Sequence, residues 1–157
     1  MANSAGIANS FKSEQWLGMH QLGAATITSR GSLTSPTTDT VKAALYLASA
    51  SISASTTAYT ATGECAETGG YSAGGITVTN GTAPSTSGST GIWTPSAALV
   101  FSNITPGGAV DCVLLYNSTQ SNKAIEVCTF ASQTITAASL TLSMPANDAS
   151  NALLRSA

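Results

Sequence analysis

His20, the carboxylates Glu64 and Glu67, and the cysteines Cys65, Cys112 and Cys128 are the residues whose types could do chemistry in this chain. His20 is the single histidine, so a metal centre built on paired imidazoles is excluded, and Glu14 six positions earlier gives no metal-ligand spacing. A nucleophile–histidine–acid triad would have to run through His20, which stands beside an N-terminal arm rather than in a strand-loop core. The expected role is a helix-end histidine that interacts with the dipole or packs at an interface. Glu64 and Glu67 straddle Cys65 in a glycine-bounded loop. Such a pair could serve glycoside hydrolysis, or bind a cation with backbone oxygens, but a solvated turn is the simpler reading. Gly69-Gly70 and Gly74-Gly75 are not a phosphate loop, because no helix and no Lys-Ser/Thr follow; turns that need positive φ explain them.

Three cysteines are an odd number, which fits reduced thiols. Cys112 and Cys128 could approach each other on paired strands, although two small buried apolar residues is the favoured reading. Asn80-Gly81-Thr82, Asn103-Ile104-Thr105 and Asn117-Ser118-Thr119 match the glycosylation sequon, and in so Thr-rich a chain chance accounts for them. Trp16 and Trp93 could stack on sugars, Trp93 being the better placed after a polar loop; core or interface packing is favoured for both. No catalytic residue, metal ligand or cofactor site is assigned.

Composition points the same way. Ser, Thr, Gly and Ala make up more than half of the chain, and 12 of 157 residues are charged. Catalysis near neutral pH usually draws on titratable groups at shifted pKa, and few are present. So little charge also leaves copies of the chain free to approach one another. The five basic residues are scattered and the net charge is −2, which argues against nucleic acid as a partner. No apolar run is long enough for a membrane span, and the first ten residues lack the basic and apolar stretches of a signal peptide. Large apolar side chains are sparse, so a neighbouring copy is expected to complete part of the core.

The elements that must position these residues are mostly strands. Residues 1–9 read as a flexible arm, and Ser10 as the N-cap of a ten-residue helix over 11–20, with Glu14 in its first turn and Gly23 past its end. Residues 21–39 read as a linker or loose strand. Residues 40–47 alternate as a half-buried strand does, 56–64 are Thr-rich, 76–79 precede an Asn80-Gly81 turn signal, and 82–91 are a low-complexity loop. Residues 98–104, 109–116, 123–130 and 133–144 complete the strands, with 109–116 and 123–130 as an antiparallel hairpin and the 148–157 tail as a last short strand. The fold class is therefore all-β: a β-sandwich or jelly roll of short antiparallel strands with one short N-terminal helix and an extended arm. The division is 1–38 for arm, helix and linker, and 39–157 for the sandwich.

Several segments carry a resemblance. Asn9-Ser10-Phe11-Lys12 with Gly18-Met19-His20 comes first, then Asp39-Thr40-Val41-Lys42-Ala43-Ala44-Leu45-Tyr46 and Thr56-Thr57-Ala58-Tyr59-Thr60-Ala61-Thr62-Gly63-Glu64. Gly70-Tyr71-Ser72-Ala73-Gly74-Gly75, Leu114-Leu115-Tyr116-Asn117 and Asn151-Ala152-Leu153-Leu154-Arg155 follow in order. In these the chain resembles a family of small virion structural proteins of tailed bacteriophages and prophages; its 21–36 segment is longer than the compact family pattern. The resemblance implies a head decoration (cement) protein, made in the host bacterial cytoplasm and placed on the outer capsid surface. The implied partners are its own copies, as a homotrimer rather than a homodimer, and the major capsid protein. The residues expected at an interface are Phe11, Trp16, Leu17, His20 and Trp93, with the segment 2–20 reaching a neighbour. The alternative is a tail or fibre-associated protein whose Trp93 loop faces a host glycan.

Overall fold

The longest apolar runs become the centre of the main sheet, as their continuous hydrophobicity requires. The computed structural model describes residues 6–16, 18–23 and 38–156, with Trp16 described in its backbone alone. Leu17, residues 1–5 and most of the expected 21–39 linker lie outside the described residues. In chain order the elements are β1 (Gly6–Ile7), α1 (Asn9–Trp16), β2 (Val41–Leu47), β3 (Ile76–Thr77), β4 (Ser85–Ser87) and β5 (Thr90–Trp93). Then come β6 (Leu99–Ile104), β7 (Val110–Asn117), β8 (Lys123–Gln133), β9 (Ala138–Leu142) and β10 (Leu154–Ser156). The fold is all-β, as expected, with one short helix among the described residues, where every strand pair is antiparallel.

The main sheet has the order β1-β8-β7-β2-β3; β10-β5-β4 form a second sheet and β6-β9 a two-stranded ribbon. Register sorts the side chains of the main sheet by face. Ala44, Tyr46, Cys112, Leu114 and Tyr116 share one face, which the loop 48–75 covers: Tyr59 stacks on Tyr116 at 4.8 Å and the Tyr46 hydroxyl donates to the Thr60 carbonyl at 2.5 Å. Val41, Ala43, Leu45, Val113 and Leu115 share the other face, toward Trp93 of β5 and Leu154 of β10 in the same buried cluster. Burying each such Leu, Ile or Phe contributes about 1.5–3 kcal/mol. One contiguous core thus spans all three sheets within a single chain, built from its own residues.

Local differences from expectation have local causes. Residues 6 and 7, assigned to the arm, add a strand to β8 with Gly6 opposite Val127 and Ile7 opposite Glu126. The helix starts at Asn9, so Ser10 is not its cap and Glu14 is not in its first turn. It ends at Trp16 because Gly18, at φ 65°, closes it: Gly18 N–H donates to the Gln15 carbonyl at 3.1 Å and Met19 N–H to the Glu14 carbonyl at 3.1 Å. That pair of bonds is a Schellman motif, and it stops the helix four residues before His20. The polar loop 82–91 instead holds the β4–β5 hairpin, turning at Gly88 with φ 61°. The run 133–144 is broken by Ala137 at φ 48°, giving the end of β8 and then β9. Residues 56–64 form no named strand; Ala58 and Glu64 make single bridges to Lys123 and Tyr46.

Candidate functional site

Two buried polar clusters and one recess gather the residues that could act. The first fixes the helix to the sheet. Phe11 is fully buried and Glu14, three positions on, lies on the same helical face at 5% exposure. Glu14 receives the Lys123 ammonium on Oε1 and His20 Nε2 on Oε2, both at 2.7 Å. Burial would raise the Glu14 pKa, but the hydrogen bonds from Lys123 and His20 and the Lys123 charge outweigh it and hold the carboxyl below its usual range. The His20 ring lies 4.6 Å from Phe11, and its Nδ1 meets Asn117 Nδ2 at 3.1 Å.

Asn117 is oriented by its backbone neighbours. Its Oδ1 accepts Thr119 N–H and Gln120 N–H, both at 3.1 Å, so the amide nitrogen must point the other way. That nitrogen donates to Asp39 Oδ2 at 2.6 Å and to His20 Nδ1. His20 Nδ1 is therefore an acceptor, and the proton donated to Glu14 sits on Nε2. Asp39 also accepts Gln21 N–H at 2.9 Å and Gln120 Nε2 at 3.3 Å. Both ring nitrogens are thus engaged, and the imidazole side chain is 2% exposed. The arrangement positions a helix; it presents no free base to a nucleophile.

The second cluster surrounds Glu64. Its Oε2 accepts the Tyr59 hydroxyl at 2.6 Å, and its Oε1 accepts the Tyr71 hydroxyl at 2.5 Å and Gly74 N–H at 2.8 Å. Tyr71 oxygen in turn accepts Leu45 N–H at 3.0 Å, and the Tyr116 hydroxyl donates to the Gly74 carbonyl at 2.6 Å. Burial, and then the neighbouring carboxylate, pushes the Tyr59 and Tyr71 phenols far above their ordinary value. Glu67 accepts Ala73 N–H at 2.8 Å. The two carboxylates expected in a solvated turn are therefore doing different work: Glu67 ties an exposed loop, and Glu64 is the hub of a tyrosine cage. No group of three or more His, Cys, Asp or Glu among the described residues is placed to hold a metal ion.

Three of the five residues expected to meet a neighbouring subunit are instead packed inside this one. Phe11 is fully buried, His20 is locked as above, and Trp93 is 2% exposed with its indole N–H donating to the Thr82 carbonyl at 2.9 Å. The Trp93 ring therefore has no open face on which a sugar could stack. The cause is the β5–β10 pair, which sets Trp93 opposite Leu154. Phe11, His20 and Trp93 do line a common recess of about 290 Å³, with Leu22, Ile92 and Leu154. The Trp16 side chain and Leu17 lie outside the described residues. The described part of the segment expected to reach a neighbour is anchored on its own sheet: Ala8 N–H donates to the Ile125 carbonyl at 3.0 Å and Asn9 N–H to the Ala54 carbonyl at 2.8 Å.

The cysteines are free. Cys112 opposes Thr129 and Cys128 opposes Val113, so the two thiols project from opposite faces of the sheet and cannot pair. Burial pushes Cys65 up to about 11 and the other two to about 12, which keeps them protonated and inert near neutral pH. Asn117 is fully buried, so the sequon at 117 is not a surface site.

Sequence reasoning missed Asp39 and Asn117. Both are turn-type residues at the ends of neighbouring strands, and that placement was the available signal. It also missed how unevenly charge is distributed. Residues 68–110 and 127–147 contain no Asp, Glu, Lys or Arg, and both strands of the β6–β9 ribbon lie in these stretches. Val100 and Thr141 face each other there, both exposed, and Val100 at 46% is an exposed large hydrophobic residue. Among the described residues β9 pairs with β6 alone, which leaves its other edge open. No helix among the described residues is long and apolar enough to cross a membrane. Comparison with protein-family models, with curated proteins and with solved structures finds no match.

Proposed function

We propose that this chain is a bacteriophage virion structural protein, a decoration or cement protein that binds the outer capsid shell as a homotrimer and stabilises contacts between major capsid subunits. The observation that carries the reading is the charge-free β6–β9 ribbon with its open β9 edge. A solvated surface normally carries about a quarter to a third charged residues. An exposed strand edge normally carries charge or proline to prevent pairing. This ribbon has neither device between residues 99 and 104 or 138 and 142. It is the surface on which another chain can add by backbone hydrogen bonds and neutral side-chain packing. The titratable side chains of the two clusters support the same reading, since Glu14, His20, Asp39 and Glu64 are occupied by internal bonds. The phage-family resemblance of the sequence supplies the setting.

Cryo-electron microscopy of a virion carrying this chain tests the proposal. Density repeated with icosahedral symmetry on the outer shell, with copies touching through β9, is the expected result. Density confined to the tail would overturn it. The ribbon itself is tested by Thr141→Lys, which adds one charge at an exposed position: the fold should persist while the oligomer and shell binding are lost. A Thr141→Lys protein that still coats heads would remove β9 as the contact.

A further inference from the structure

We propose that the cleft between the β1–β8 edge and β10 is a carboxylate-binding site, formed by the Glu126 carboxyl and the Arg155 guanidinium. The cleft has a volume of about 420 Å³ and is lined by Gly6, Ile7, Thr90, Ala149 and Leu153 besides these two. Glu126 is opposite Ile7 on one side and Leu115 on the other, which turns its side chain toward the second sheet. Its Oε2 is buried and has no hydrogen-bond partner. A buried polar atom without a partner is destabilising until something bonds to it, so this one is where a ligand gains a hydrogen bond.

The protonation state decides what kind of ligand fits. Burial pushes the Glu126 pKa up to about 8, with Arg155 pulling weakly the other way, so near neutral pH the group is an acid that offers an O–H. Arg155 stands on β10, and its Nη1 donates to the Ser150 carbonyl, leaving its other N–H groups available. The remaining charged or titratable neighbours do not change the balance. Asp148 feels Arg155 but is held by Ser150 N–H and by the Asn151 backbone and side chain, and Cys128 on the same face of β8 stays neutral. Gly6, Ile7, Thr90, Ala149 and Leu153 carry no charge. One cation, one O–H donor and an apolar wall complement a singly charged carboxylate with a short aliphatic tail. A cationic ligand would need Glu126 ionised and would sit beside Arg155.

The test is a titration of the full chain with sodium butyrate, followed by NMR at the Ile7, Thr90 and Leu153 amides and at the Glu126 carboxyl carbon. Saturable shifts are expected, with affinity falling about tenfold per pH unit above the Glu126 transition, since binding requires its proton. Glu126→Gln keeps a donor, so it should bind with a flat pH profile; Arg155→Gln, at an exposed position, should abolish binding. A peptide with a free C-terminal carboxylate, run beside its amidated form, separates the two sources of such a group. Tighter binding than butyrate assigns a protein terminus, and equal binding assigns a free acid. Identical shifts with sodium chloride, binding that survives Arg155→Gln, or butylammonium binding that strengthens as pH rises would each overturn the proposal.

Discussion

Asn117 and Lys123 face each other across the β7–β8 hairpin, and each sends its side chain to a different acid. Lys123 reaches Glu14 of the helix, and Asn117 reaches Asp39 at the entrance to β2, with His20 bridging Asn117 to Glu14. Residues far apart in sequence are joined at one end of the sheet, so the N-terminal helix is held by polar bonds as much as by Phe11. The described part of the N-terminal segment is thereby tied into the body of the fold.

Replacing Asn117 should loosen that junction. Asn117→Ala removes a buried donor and acceptor and leaves Asp39, Thr119 N–H and Gln120 N–H short of partners; the loss should be about 2–3 kcal/mol in urea unfolding. Asn117→Asp sets a second carboxylate against Asp39 and should be worse at neutral pH. Acidification should recover part of its deficit, because protonation restores a donor. If Asn117→Asp is as stable as wild type at neutral pH, the hydrogen-bond assignment is wrong.

The tyrosine cage predicts an optical signature. Tyr46, Tyr59, Tyr71 and Tyr116 all have phenols raised by burial, with Glu64 adding to each. Tyrosinate absorbance should therefore appear in one steep step as the fold opens in alkali, and not as a gradual titration near the ordinary phenol value. Tyr71→Phe should cost more than Tyr59→Phe, since it also strands the buried Leu45 N–H; about 1–3 kcal/mol is expected against less than about 1.5 kcal/mol. Equal losses would mean the Leu45 bond contributes nothing.

What could be read in the sequence followed side-chain size. β2, β7 and β8 announce themselves through Val, Leu and Ile at strand spacing, and the helix through Phe11 and its neighbours. The β4–β5 hairpin was hidden because Ser, Thr and Gly carry no large apolar group whose alternation could reveal a buried face; Gly88 was the only local cue. The helix end was misplaced because two glycines competed for it, and hydrogen bonds, not composition, chose Gly18 over Gly23. Asn80-Gly81, a strong turn signal, is used differently: Asn80 Oδ1 accepts Gly23 N–H at 2.8 Å and its amide donates to the Asp39 carbonyl at 3.3 Å. Glu14 and His20 were visible as residues, while their partners at 117 and 123 depended on a sheet register that no local pattern carries.

Gly75 is a position that only glycine fits in the loop that delivers Gly74 to the cage. It has φ +77°, and an added Cβ would lie 1.9 Å from the Ala43 carbonyl oxygen. Both the backbone conformation and the backbone contact oppose a side chain, so Gly75→Ala should lose more than about 2 kcal/mol and detach β3 from β2. Gly88 is a control: its φ is +61° but nothing lies within 4 Å, so Gly88→Ala carries the conformational cost alone, about 1 kcal/mol. Similar losses at the two sites would refute the steric part of the argument.

Glu14 and the partly buried Glu126 should bend the pH–stability curve in opposite directions. Glu14 is held below its ordinary value, so the stability it contributes is present above that value and is lost as pH falls through the folded pKa. Glu126 is raised from 4.5 to about 8, so the folded chain holds its proton more tightly than the unfolded chain does. Its contribution is complete below 4.5 and declines as pH climbs through the window to about 8. Urea midpoints of the wild type should therefore fall from about pH 5 to about pH 9, while those of Glu126→Gln, which has nothing to ionise there, should stay nearly level. Above about pH 8 the variant should be the more stable protein, since it spares the fold an unpaired buried charge. A wild-type curve that runs parallel to that of Glu126→Gln across this range would mean that Glu126 is solvated, and the cleft beside β1 would then be open to water instead of shielding its acid.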